Sequence, residues 1–386
     1  MSVVLPRIGS VTADLARPAL PAPGLPVRPE LAGLEPYGAP QLDVPYLLNT
    51  NENPYAPSEA VVADIAAAVT EAARGLNRYP DRDFAALRAD LAAYLALESG
   101  VSLGAEQIWA ANGSNEIMLH LLQAFGGPGR TVLSFAPTYS MYPEYARDTS
   151  TGWVAGRRAE DFSLDPEHAR ATIAEVAPSV VLLASPNNPT GTALPLDTVR
   201  AVLGAAAEVP GGCVVVVDEA YGEFRRRGTP SALELLADHP HLAVSRTMSK
   251  AFGLAGARVG YLAAAAPLVD VLRVVRLPYH LSSVTQAVAR AALRHADELM
   301  AQVDSLRDER DRLVAWLRER GLQAADSDAN FVLFGMFPDR HAVWQGLLDR
   351  GVLVREVGPD GWLRVSLGTP QETTAFTDAL TEVAGL

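Results

Sequence analysis

Lys250, in the stretch "SRTMSKAFGLAGARVGYL" (residues 245–262), is the only lysine in 386 residues, and every other basic residue among the 32 lysines and arginines is an arginine. Arginine supplies charge and surface ion pairs, but its guanidinium stays protonated and is a poor nucleophile. A lysine amine can shed its proton and attack a carbonyl. A single lysine has to fall somewhere, so its neighbours decide whether it does chemistry.

Several segments carry groups that would complement it. In "VVVVDEAYGEF", Asp218 ends an apolar run with no polar residue before it, so its carboxylate is either paired or functional. Taken alone it reads as a loop or helix-capping residue, and Tyr221 follows three positions later. "ASPNNPTG" places Asn188 in an Asn, Pro and Gly cluster of the kind that ordinarily marks a turn. "NGSNEIMLHLLQAFGG" opens a helix, with Ser114 as the expected N-cap and Gly126 as the stop, and such a start offers free backbone N–H groups to an anion. Arg258 would ordinarily be half of a salt bridge, and Tyr139 in "APTYSMYPEY" a packed aromatic. Together these parts suit one ligand: a lysine for an aldehyde, a carboxylate for a ring nitrogen, donors for a phenolic oxygen, and an anion cradle with arginine for a phosphate. That ligand is pyridoxal 5'-phosphate.

The elements that must hold these groups read as α/β. From Ser58 to about residue 285, apolar strand-like runs alternate with helix-like segments, the pattern of a largely parallel sheet covered by helices. "TVLSF", "VVLLASP", "CVVVVDE" and "LAVSRT" are the clearest strands. Each runs into a loop of polar or small residues, and open α/β sheets bind ligands where loops leave the carboxyl ends of their strands. Residues 284–320 read as one long helix ending at Gly321, with charges such as "RDERDRL" on a solvated face. Beyond it, "NFVLFG", "VLVREV" and "WLRVSLG" read as short strands, and Thr369-Pro370-Gln371-Glu372 matches a capping box that opens a final helix. The expected organisation is a large domain over 58–285, a smaller α/β domain from 31–57 plus 286–386, and a proline-rich N-terminal tail over 1–30.

Composition narrows the function. Hydrophobic residues make up 49% of the chain, enough for a large core, and the formal net charge of −13 argues against a phosphate-backbone surface, for which no basic stripe is present. No nucleic-acid partner is expected. The apolar stretch "VGYLAAAAPLVDVLRVV" is broken by Pro267 and Asp270, so no membrane span is expected either. Cys213, the lone cysteine, lies in an apolar run and reads as an inert core thiol, which fits a reducing cytoplasm. Other motifs fail on spacing: a phosphate-binding P-loop needs glycine immediately before its lysine, "GLAGARVG" lacks the Gly-x-Gly of a dinucleotide fingerprint, and no His, Cys or carboxylate cluster has zinc spacing.

"SPNNPTG", "VDEAYGEF" and "SKAFGLAGARVGY" resemble the fold-type I, aspartate-aminotransferase-like enzymes in order and spacing over nearly the whole chain beyond the tail. More narrowly, "LNTNENPY", "RYPD", "NGSNEI", "PTYSMYP", "TMSKAFGLAGARVGY", "LPYHLSS", "SDANFVLF" and "LRVSLGT" resemble histidinol-phosphate aminotransferases, particularly those of the actinobacterial kind. The resemblance implies a mostly parallel, seven-stranded large-domain sheet and a pyridoxal-phosphate aminotransferase. It implies that Lys250 carries the cofactor and shuttles a proton, that Asp218 pairs with the pyridinium nitrogen, that Tyr221 and Asn188 donate to the phenolic oxygen, and that Tyr139 stacks on the ring. The phosphate would meet Ser114, Asn115, Thr247, Ser249 and Arg258, with Tyr55 arriving from a neighbouring subunit of a homodimer.

For the substrate it implies Arg364 and Arg355 at the anionic end, with Tyr37, Asn115, Tyr279 and Asn330 as further pocket residues. Composition alone would make both arginines surface ion pairs. The implied reaction converts L-histidinol phosphate and 2-oxoglutarate to imidazole acetol phosphate and L-glutamate in cytoplasmic histidine biosynthesis. Aromatic amino-acid aminotransferases and threonine-phosphate decarboxylases are similar enough to stand as alternatives. A non-catalytic cofactor-binding module is disfavoured by the joint presence of Lys250, Asp218 and Arg258.

Overall fold

The structure is a computed structural model describing residues 25–386, so most of the proline-rich 1–30 segment lies outside the described residues. A two-residue strand, β1 (Tyr46–Leu47), precedes a seven-stranded sheet. That sheet comprises β2 (Ile108–Ala111), β3 (Thr131–Ala136), β4 (Gly152–Arg157), β5 (Val180–Ala184), β6 (Val214–Asp218), β7 (Leu242–Thr247) and β8 (Gly260–Ala264). Its spatial order is β2-β8-β7-β6-β5-β3-β4, parallel from β7 through β4, with β8 antiparallel to both neighbours. The Val-rich runs of β5 and β6 are buried along their whole length, as strands covered on both faces by helices must be.

Register brings the chemistry to one edge. Ala184 pairs with Asp218 and Asp218 with Ser245, so β5, β6 and β7 finish nearly level and their following loops open side by side. Asp218 sits at the middle of this edge, with the Asn188 loop on one side and the Lys250 loop on the other.

A smaller unit is built from β9 (Gln323–Ala324), β10 (Phe331–Gly335) and β12 (Trp362–Ser366) in an antiparallel sheet, and from β11 (Val352–Leu353), which pairs in parallel with β1. The early segment is thereby tied to the end of the chain. The closing helix Pro370–Ala384 has the expected capping box, with the Thr369 hydroxyl accepting from the Glu372 amide and Glu372 accepting from the Thr369 amide.

Two expectations need correction. The helix expected over 284–320 is two helices, Ser283–Leu293 and Ala296–Glu319, broken at Arg294 and His295. Both residues at the break reach the Asp64 carboxylate, His295 Nε2 at 2.9 Å. The first helix packs on Glu59–Ala73 and Ala85–Ser99, whereas the second packs on β9 and β10. A change of packing partner, with no glycine or proline to mark it, leaves the helical period intact. The second correction concerns the helix Ser114–Phe125: its N-cap is Gly113, at φ +87°, and Ser114 is its first helical residue.

Candidate active site

Asp218 closes β6 and is buried, as a residue must be at the centre of a covered sheet. Its Oδ2 accepts from the Tyr142 hydroxyl at 3.1 Å and its Oδ1 from the Ala220 amide at 3.2 Å. Among the described residues no arginine, lysine or histidine pairs with it. Burial pushes its carboxyl up to about 6, with the Tyr142 hydrogen bond opposing. A buried carboxylate in this condition is best completed by a cationic partner entering the pocket.

Lys250 follows β7 on the adjacent loop, and its Nζ donates to the Thr50 carbonyl at 2.8 Å. It lies 6.0 Å from the centre of the Tyr221 ring. Burial first, and the Arg364 charge second, push its ammonium down to about 8 from the ordinary 10.5. The fraction of neutral, nucleophilic amine is correspondingly larger near neutrality. Attachment of an aldehyde cofactor to the empty protein should therefore quicken with pH about a midpoint near 8. Stopped-flow absorbance at limiting cofactor checks this, and a midpoint still above 10 would contradict the burial argument.

An anion cradle lies at the end of the pocket formed by Ser114, Asn115, Thr247, Ser249 and Arg258. The start of Ser114–Phe125 leaves its first N–H groups without intrahelical acceptors. Arg258 closes over it, donating to Ser249 Oγ at 3.3 Å and to the Ala255 carbonyl at 3.2 Å. Its guanidinium lies so near Gly113 that a Cβ there would come within 2.5 Å of Nη2, and the positive φ reinforces the need for glycine. Thr247 Oγ1 accepts from the Ser249 amide at 3.2 Å, which tightens the loop leading to Lys250.

Arg364 and Arg355 enter from the smaller unit as neighbours across an isolated antiparallel bridge. Arg364 is buried, donates to Asn188 Oδ1 and, at 2.8 Å, to the Asn49 carbonyl, and leaves Nε buried without a partner. Arg355 reaches the Gly38 carbonyl at 3.2 Å and leaves one terminal nitrogen unsatisfied. Neither is paired with a carboxylate among the described residues, so two guanidinium groups line the cavity with uncompensated charge. Because arginine can only donate, Asn188 must turn its oxygen to Arg364, which leaves its amide nitrogen as a donor to other groups.

Of the residues expected from sequence, Lys250, Asp218, Tyr221, Ser114, Asn115, Tyr139, Asn188, Thr247, Ser249, Arg258, Arg364, Arg355 and Tyr37 line one cavity. Tyr37 Oη lies 2.9 Å from Ser140 Oγ across its mouth. Three others stand outside it. Tyr279 is partly exposed and stacks on Tyr79 at 4.5 Å; Asn330 is fully buried, donating to the Asn51 carbonyl at 3.1 Å; Tyr55 is half-buried against the core, its carbonyl near Gly253. Sequence reasoning gave no role to Tyr142, the direct partner of Asp218, or to residues 49–51, although "LNTNENPY" contains the latter. Tyr142 stood inside a quoted aromatic stretch, but nothing in its spacing distinguishes it from packing.

A bound pyridoxal phosphate fits these residues on the structure's own terms. Asp218 lacks a cation, Arg258 and a helix start line the same cavity, and Lys250 joins them there with its ammonium pushed down to about 8. Cys213 takes no part: it is buried away from the cavity and its thiol is pushed up to about 12.

Residues 45–380 match the family model "Aminotransferase class I and II". The histidinol-phosphate aminotransferase of Thermobifida fusca is 62% identical over 361 residues, covering 94% of this chain and 96% of the relative, and that of Bifidobacterium longum is 57% identical over 378 residues, covering 95% and 98%. The crystal structure of the Sinorhizobium meliloti histidinol-phosphate aminotransferase in complex with pyridoxal-5'-phosphate superposes with a TM-score of 0.77 at 26% identity, over 88% of this chain and 90% of that one. With a family model matched over residues 45–380 and relatives 57% and 62% identical over more than nine-tenths of the chain, the chain belongs to the class I and II aminotransferase family, on its histidinol-phosphate aminotransferase branch.

Proposed function

We propose that this enzyme uses pyridoxal 5'-phosphate to transfer the amino group of L-histidinol phosphate to 2-oxoglutarate, forming imidazole acetol phosphate and L-glutamate in histidine biosynthesis. The observation that carries the reading, beyond the kinship, is the pair Arg364 and Arg355 facing the Lys250 cavity without carboxylate partners. Histidinol phosphate has no α-carboxylate, so its phosphate must occupy an anion site that the carboxylate of 2-oxoglutarate fills in turn, and two adjacent guanidinium groups suit both.

When bound, pyridoxal phosphate supplies an electron sink conjugated to the substrate amine. Asp218 holds the ring nitrogen's proton in place, because a buried carboxylate is stabilised by the adjacent positive charge. Tyr221 and the freed amide of Asn188 donate toward the phenolic oxygen, and Tyr139 covers a ring face. Ser114, Asn115, Thr247, Ser249 and Arg258 hold the phosphate. Lys250 Nζ would hold the cofactor through its amine and, once free, would carry the proton at the substrate's reacting carbon.

Donor preference tests the substrate assignment. With 2-oxoglutarate in common, kcat/KM for histidinol phosphate should exceed that for phenylalanine by well over tenfold, since a phosphate gains charge-assisted hydrogen bonds that a carboxylate only partly replaces. Equal or better use of phenylalanine would favour the aromatic aminotransferase alternative.

We further propose a homodimer in which Tyr55 of each chain completes the partner's phosphate site; Tyr55 stands outside its own cavity. Mixed Tyr55→Ala and Lys250→Ala chains should then regain activity that neither has alone, because one hybrid site carries no defect. No recovery despite verified subunit exchange would show self-contained sites. The single buried cysteine and the biosynthetic reaction suit the cytoplasm.

A further inference from the structure

Three consecutive residues, Asn49, Thr50 and Asn51, each hold a different functional side chain. The Asn49 carbonyl accepts from Arg364 at 2.8 Å, the Thr50 carbonyl from Lys250 at 2.8 Å, and the Asn51 amide nitrogen donates to the Tyr221 hydroxyl at 3.0 Å. The segment continues from β1 and is anchored to the smaller unit through Leu48, whose amide donates to the Leu353 carbonyl and whose carbonyl accepts from the Ser366 amide. Asn51 is buried and holds φ +56°, a left-handed conformation that asparagine tolerates better than most side chains.

The hydrogen bonds around Asn51 run in a consistent sense. Its backbone N–H donates to Ser366 Oγ at 2.8 Å. Ser366 has one hydroxyl proton, and it goes to Asn51 Oδ1 at 2.9 Å. The oxygen of the Asn51 side-chain amide thus faces Ser366 and its nitrogen faces Tyr221. The Tyr221 oxygen therefore receives a hydrogen bond from behind, and its single proton is left to point into the cavity that it lines. Asn330, donating to the Asn51 carbonyl at 3.1 Å, holds the backbone in this pose.

We infer that Asn51, set by Ser366, is a positioning residue that orients the Tyr221 hydroxyl as a hydrogen-bond donor toward the phenolic oxygen of the cofactor. The inference rests on the cofactor reading above. It also links the two halves of the site, because Ser366 lies two residues beyond Arg364 on β12. Ordering of the anion-binding strand and orientation of the phenol then share one side-chain amide.

The consequence is readable without turnover. A proton donated to the phenolic oxygen favours its anionic form, and so favours loss of the proton from the lysine-linked nitrogen of the bound cofactor. Weakening the donor should raise the pH midpoint of the visible absorbance change of the holoenzyme. Asn51→Asp is nearly isosteric and tolerates the backbone, but the carboxylate accepts where the amide donated, so the Tyr221 proton turns away from the cavity. An upward shift of about one pH unit is expected. Asn51→Gly, which keeps the left-handed φ and adds no charge, should shift it in the same direction by less, as should Ser366→Ala. The ionisable groups facing Tyr221 are Arg364, Asp218, Lys250, Tyr37 and Tyr139, and all are unchanged in these variants.

Repeating the series in a Tyr221→Phe background separates orientation from charge. The Asn51→Gly shift should vanish there and the Asn51→Asp shift should fall to its electrostatic remainder. Shifts of equal size with and without the phenol would overturn the inference, as would an unmoved midpoint in both Asn51 variants with Tyr221 present. A wild-type protein showing no Lys250-dependent visible band would instead overturn the cofactor reading, and this inference with it.

Discussion

Replacing Lys250 with arginine should leave a folded protein whose kcat is lower by about 10⁴-fold or more. The positive charge survives in this variant, so a purely electrostatic role for Lys250 would predict a modest loss. Two functions disappear together instead: the amine that can attack an aldehyde, and the base that can carry a proton at the reacting carbon. Arginine's guanidinium remains protonated at every accessible pH. The change should cost little stability, because Lys250 makes a single hydrogen bond, to the Thr50 carbonyl, and no ion pair among the described residues. A steady-state assay with circular dichroism as the folding control checks both halves. Retention of more than a few per cent of wild-type turnover would remove Lys250 from the mechanism.

Arg364→Lys is the second large effect. The side chain spans Asn188 Oδ1 and the Asn49 carbonyl with two nitrogens and keeps Nε free, a forked arrangement that a single ammonium cannot reproduce. Both half-reactions should weaken by about 10–100-fold in kcat/KM, or about 1–3 kcal/mol of transition-state binding. Arg364→Ala should be worse, since it leaves Asn188 without the partner that sets its amide and removes the anion contact as well. It should also raise the pH midpoint for cofactor attachment, because the Arg364 charge is the largest contribution after burial holding the Lys250 ammonium down. An Arg364→Lys variant with unaltered kinetics toward both histidinol phosphate and 2-oxoglutarate would displace the anion site from this arginine.

Much of this site could be read from the chain because its chemistry sits at strand ends. Asp218 ends an uninterrupted valine run, Asn188 follows an equally apolar strand, and the lone lysine stands just past the third. A strand's carboxyl end is marked in sequence by the switch from apolar to polar residues, and parallel pairing then places three such ends together. Residues 49–51 carry no such mark. They act mainly through backbone carbonyls, which any residue has, on partners roughly 170 to 315 positions away. The break at Arg294 and His295 was hidden for a related reason: both flanking segments are helical, and the interruption is set by which unit each packs against. Tyr279 and Tyr55 entered through resemblance alone, and neither lines the Lys250 cavity.

The most direct test separates the two halves of the reaction. Holoenzyme mixed with histidinol phosphate and no oxoacid should lose the absorbance of its lysine-bound cofactor within a single turnover, releasing one equivalent of imidazole acetol phosphate per site. Addition of 2-oxoglutarate should then restore the original spectrum with one equivalent of glutamate. Release of phosphate in place of that exchange, or a spectrum unchanged by histidinol phosphate and converted by phenylalanine, would contradict the account.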